Sequence, residues 1–209
     1  MALLHRAQLS PSKLEVVGDL LATRAWFRGG TLQAVGAYRF DDPEGEVGIE
    51  THLVRTDDGP VLQVPLTYRA AALPGAEASL VGTMEHSVLG RRWVYDACGD
   101  PVYVAALADV LLGEGGQAEE YFEVDGRREP RPPTVVVATT GTPGEVPVDA
   151  SDQPVAVTDG DRTVVTAGGV ELVVLGVLDD AATTDVEHAL TGTWADRSDP
   201  VLLATARRT

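Results

Sequence analysis

The chain has 209 residues, 44% of them hydrophobic, and 32 acidic side chains against 16 Lys and Arg give a net charge of −16. That supplies core material for one generous domain or two small ones, while the negative balance argues against nucleic acid and anionic membrane surfaces as partners. The single cysteine, Cys98, precludes an internal disulfide framework, and neither an unbroken apolar leader nor a run of 18 apolar residues occurs, so the expectation is a cytoplasmic protein.

Alternation of Leu3, His5, Ala7 and Leu9 with Leu4, Arg6 and Gln8 predicts a first strand. Ser10-Pro11 follows, read as an N-cap with Pro at the first helical position, and Leu14, Val17, Leu20 and Leu21 form the apolar stripe of a helix over 10–23. A strand over 32–40 leads through the acidic turn Asp41-Asp42-Pro43-Glu44-Gly45 into the stretch Glu46–Arg69. There Ile49, Thr51 and Leu53 alternate on one arm and Leu62, Val64, Leu66 and Tyr68 on the other, a long hairpin with one face buried. Asp57-Asp58-Gly59 makes its turn with Gly as the residue at positive φ, and Pro65 points its missing donor outward or at a bulge. Strand material at 80–88 and 91–95 breaks at Gly90. Asp100-Pro101 then opens a second helix, with Val104, Leu107, Ala108 and Leu111 on its apolar face and Gly113 at its end. Ala118–Val124 is a further strand, and Glu129–Pro133 is punctuation that breaks helix and ladder alike. Beyond it, short β-like runs at 134–140, 155–158, 163–166, 170–178, 189–194 and 201–206 predict a β-rich C-terminal part. The domain division expected is 1–130 and 134–209, the second able to extend the sheet of the first.

Few residues point to chemistry. Glu85, His86, Asp96 and Cys98 are the types a thiol hydrolase uses, but no oxyanion-generating turn accompanies them, and a lone cysteine beside a helix start is commonly a small buried hydrophobe. His5, His52, His86 and His188 lack metal-ligand spacing, and Asp41, Asp42, Glu44, Glu46 and Glu50 lack the pattern of a calcium loop, so neither a metal nor a cofactor is expected. Glycine-rich phosphate cradles are missing too. Trp93 and Tyr95 share one strand face, and with Tyr68 and His52 they are the candidates for an interaction surface, whether for a sugar or a partner protein.

The phrases AYRFDDPEGEVGIETHLVR, QVPLTYR, LPGAEASLVGTMEHSVLGRRWVYDACGDPVYVAAL and AEEYFEVDGR resemble the N-terminal cap domain of actinobacterial maltokinases, in a stand-alone cap-like form, over roughly 1–130. The resemblance implies an α+β fold: a curved antiparallel β-sheet wrapped around a helix in the manner of cystatins, here followed by a β-rich C-terminal part. In the maltokinases this cap precedes a kinase that phosphorylates maltose within the trehalose-to-α-glucan route. Such a kinase needs a catalytic-loop Asp with a following Asn or Gln and a further Asp for magnesium. This sequence contains no Asn and no such loop, so no catalytic residue transfers and no phosphotransfer is expected. The functional expectation is a non-catalytic cap-like regulatory or protein-interaction module, acting on an enzyme of maltose, trehalose or glucan metabolism or by self-association. The alternatives are a small-metabolite (sugar) binding module and, more remotely, a Cys/His hydrolase.

Overall fold

The computed structural model describes residues 2–57, 59–124, 126–144, 146, 148–178 and 186–209. Strands in chain order are β1 (Ala2–Leu4), β2 (Leu9–Ser10), β3 (Leu32–Phe40), β4 (Gly48–Thr56), β5 (Val61–Arg69), β6 (Leu80–His86), β7 (Gly90–Asp96), β8 (Glu120–Val124), β9 (Arg127–Arg131), β10 (Val135–Thr139), β11 (Val155–Asp159), β12 (Arg162–Ala167), β13 (Val170–Leu175), β14 (Val177–Leu178), β15 (Ala189–Trp194) and β16 (Arg197–Arg208). The helices are α1 (Lys13–Ala22) and α2 (Pro101–Leu112). The fold is mostly β, α+β in class. An antiparallel sheet ordered β2-β6-β7-β5-β4-β3 receives β14 beside β5, a second antiparallel sheet runs β10-β15-β16-β13-β12-β11, and β1-β8-β9 forms a small third. Among the described residues no helix is long and apolar enough to cross a membrane.

α1 starts later than the Ser10-Pro11 signal suggested. Ser10 pairs with Glu85 as part of β2, and the cap is Ser12. Its hydroxyl accepts the Glu15 N–H while the Glu15 carboxylate accepts the Ser12 N–H, at 3.3 and 2.7 Å. The reciprocal capping box, available only with an acid three residues on, selects this start. The buried stripe is correspondingly Val16, Val17, Leu20 and Leu21, and Leu14, on the flank of the first turn, is 37% exposed. This stripe packs on Val54, Leu62, Val64, Leu66, Met84 and Val94, one face of the first sheet.

The other face of the same sheet is also covered. Tyr38, Phe40, Ile49 and Leu53 share a core with Tyr103, Val104, Leu107 and Leu111 of α2 and with Val165, Leu172, Val174, Leu190 and Leu203 of the second sheet. The β4–β5 hairpin is therefore not half-buried as its alternation implied: Thr51, His52, Gln63 and Thr67 are buried along with their apolar neighbours. Gln63 shows how this is tolerated. Its amide donates to the carbonyls of Leu175 and Leu203 at 2.8 and 3.0 Å and accepts the Tyr38 hydroxyl at 3.0 Å, so both N–H groups and the carbonyl oxygen have partners. Residues on both sides of the Pro-rich segment thus enter one core, and β14 joins the first sheet directly.

Proline positions follow edge logic. The Gln63 N–H donates to the carbonyl of Gly176 beside β14, whereas β7 pairs with β5 only from Leu66 onward. Pro65, of the same parity as Gln63, puts its missing N–H into the gap between those two partners. Pro130 pairs with Tyr121 inside β9, an exposed edge strand, so the Pro-rich stretch does not break the ladder as expected but closes its margin. The expected first strand is split between two sheets, with β1 parallel to β8 and β2 antiparallel to β6. At the β4–β5 turn the positive φ belongs to Asp57 (44°) rather than Gly59, and Asp58 lies outside the described residues. α2 begins and ends as the sequence indicated, capped by Asp100 with Pro101 at its first position and closed at Gly113.

Candidate functional site

Helix length decides where the molecule has a cleft. Ten residues of α1 reach about 15 Å, while a nine-residue strand reaches about 30 Å, so α1 cannot blanket the face it packs on. Past its first turn the apolar layer gives way to Glu50, His52 and Tyr68. Here a cleft of about 550 Å³ opens, walled by the β1–β2 segment, the β3–β4 turn and the β6–β7 hairpin.

Charge on its floor is tightly paired. Glu50, 4% exposed, meets Lys13 Nζ at 2.5 Å, Arg39 at 2.9 Å and His52 Nε2 at 3.4 Å. Arg39 also lies 3.5 Å from Glu120, which Arg131 contacts at 2.9 Å, tying the small third sheet to the first. Burial works to raise the Glu50 pKa, but His52, Arg39 and Lys13 outweigh it and hold the carboxyl well below the usual carboxylate range. His52 itself is held down to about 4, chiefly by burial; Glu50 opposes that shift, and Lys13 and Arg39 reinforce it. At neutral pH His52 is therefore uncharged, and Lys13 and Arg39 are the cations that keep Glu50 ionised. His52 Nε2 lies 2.9 Å from the Tyr68 hydroxyl, whose own pKa is raised by burial and by the Glu50 charge. With Glu50 clamped and His52 neutral among cations, this cluster fixes charge in place; it is not poised to move a proton at pH 7.

Of the interaction residues expected from sequence, His52 and Tyr68 come together here. Trp93 is half-buried in β7 and, unlike its neighbour Arg92, does not line the cleft. Tyr95 is 1% exposed, with its hydroxyl accepting the Leu73 N–H at 2.8 Å, so it is core and offers no aromatic platform. Cys98 and His86 are not brought together. Cys98 is buried beside Arg24 and Asp96 on a pocket of about 20 Å³, whereas His86 lines the large cleft. Burial, with the Asp96 charge adding, pushes the Cys98 thiol up, the reverse of what a thiolate nucleophile requires. Among the described residues no group of three or more His, Cys, Asp or Glu is arranged to hold a metal. Asp42 instead serves its own turn, accepting the N–H groups of Glu44, Glu46 and Val47 at 3.1, 2.9 and 2.9 Å.

Lys13, Arg39, Glu50 and Arg92 were missed as site residues. The available signal was Glu50-x-His52, two polar residues at inward-facing strand positions in register with an apolar face; the alternation was visible, but the burial that makes it unusual was not.

No curated protein matches the sequence. A family model does, over less than half of the chain: residues 20–100, from the end of α1 through β3–β7 to the N-cap of α2, match the maltokinase N-terminal cap domain.

Proposed function

We propose that the chain is a non-catalytic, cap-like regulatory or protein-interaction module serving an enzyme of maltose, trehalose or α-glucan metabolism, with no phosphotransfer activity of its own. The family match over 20–100 carries this reading. The residues after it support it: among the described residues of 134–209 lie the strands of a second antiparallel sheet and β14, and the sequence there holds no kinase catalytic loop. A cystatin-like wrap of the first sheet about α1 belongs to the same reading, as does a cytoplasmic location. The net charge of −16 favours a partner with a basic contact patch and an encounter that salt slows. The test is reconstitution. The purified chain should turn over no ATP with maltose, and when added to an enzyme of this metabolism that co-purifies with it from its native host, it should change that enzyme's kcat or KM. Sugar-dependent ATP turnover by the chain alone, or a co-purifying enzyme whose kinetics ignore it, would overturn the proposal.

A second reading, a small-metabolite binding module, is favoured by one observation. The cleft of about 550 Å³ has the size of ligand sites generally and combines charged groups with apolar walls.

A further inference from the structure

Resting on that second reading, we infer that the cleft takes an amphiphilic anion, its carboxylate or phosphate head held at Arg92 and its apolar body laid along Leu3, Leu9 and Leu89.

The unspent hydrogen-bonding capacity of the cleft decides the head group. Two of its acids are committed: Glu50 to Lys13 and Arg39, Asp42 to three backbone N–H groups. Arg92 is different. One terminal nitrogen donates to the Leu89 carbonyl, its buried Nε has no hydrogen-bond partner, and among the described residues no carboxylate pairs with it. A guanidinium carries five donors in a fork that matches an oxyanion, and the bond to the Leu89 carbonyl uses one of them.

The field at this end of the cleft has the same sign. His5 and His86 meet edge to face, with ring centroids 5.7 Å apart. Burial, and then His5, Arg92 and Lys13 together, hold His86 below its ordinary pKa, as a cationic neighbourhood does. Among the residues that line the cleft, Lys13 and Arg39 are paired with Glu50, so the positive charge at this end is that of Arg92. Asp41, Asp42 and Glu46 stand on the β3–β4 wall, so an anionic head is repelled from that wall and drawn to Arg92. At the mouth Leu3 and Leu89 remain 39% and 45% exposed, large apolar side chains that a ligand body would cover.

The experiment follows the ¹⁵N–¹H resonances of Met84, Leu89 and the Arg92 side chain in the full chain. Sodium octanoate, octyl phosphate and octyl glucoside are titrated separately, each below its micelle-forming concentration. Saturable shifts are expected from octanoate or octyl phosphate, whichever head fits better, and not from the neutral glucoside. Arg92→Gln should weaken the better anion by about tenfold or more. Leu89→Glu, placed at the exposed mouth where folding does not depend on it, should weaken both anions and serves if the Arg92 variant fails to fold. If octyl glucoside binds as tightly as the anions, or neither variant alters anion binding, the anion assignment is wrong while the cleft still binds ligand. If none of the three compounds gives a saturable shift, the small-metabolite reading falls with it.

Discussion

His52 should make the protein lose stability between pH 7 and pH 5, and replacing it by Gln should remove that component. In the unfolded chain a histidine titrates near 6.5; folded, His52 is held at about 4 by burial and by Lys13 and Arg39, against the pull of Glu50. Because the folded value is the lower, the unfolded state takes up the proton first as pH falls. The stabilisation is thus complete above about 6.5 and is lost on the way down to about 4. The full span of roughly 2.5 units corresponds to about 3 kcal/mol, of which about 2 kcal/mol falls between pH 7 and pH 5. Against a total stability on the order of 5–15 kcal/mol this is readily measured. Urea unfolding of the wild type and of His52→Gln at pH 7 and pH 5, with m-values checked for constancy, gives the difference of differences. Gln retains a group able to hydrogen-bond the Tyr68 hydroxyl, and Glu50, whose folded pKa is depressed, keeps its stabilising contribution above its unfolded value of about 4.3 and loses it only as pH falls below that. Equal pH dependence in the two proteins, or a His52 resonance titrating near 6.5 in the folded state, would refute the account of the cluster.

Two further outcomes follow from buried groups. Asp100, fully buried, caps α2 through the Val102 N–H at 3.0 Å, accepts the Thr67 hydroxyl at 2.7 Å and receives Arg69 twice, at 2.7 and 2.6 Å. Asp100→Ala should cost about 3–5 kcal/mol by urea unfolding, with Asn at that position recovering about 1 kcal/mol through the cap alone. Cys98, 2% exposed with its thiol pKa raised, should react with a thiol reagent such as Ellman's only at the rate of global unfolding; rapid labelling of the native protein would show that its environment is wrongly described.

Sequence alone determined the features that depend on near neighbours. Short β-like runs after Pro133 became β10 to β16, and Leu32–Phe40 became β3. The Asp100-Pro101 start of α2 was legible because cap, proline and apolar stripe lie within one or two turns of each other. The start of α1, by contrast, was read at Ser10-Pro11, whereas the reciprocal bonds between Ser12 and Glu15 set it at Ser12. What tertiary structure decided was the meaning of polar residues in strands. Gln63 reads as a solvent-facing position of an amphipathic hairpin, yet its amide is satisfied by carbonyls 112 and 140 residues away. Glu50 reads as the tail of an acidic turn, yet it is clamped by Lys13 and Arg39 where a ten-residue helix runs out over longer strands. A polar side chain is stable inside only if partners meet it there. Alternation along one strand reports the two faces of the sheet but not what covers each of them, so the cleft and its charges emerged only once α1, the first sheet and the N-terminal segment were placed together.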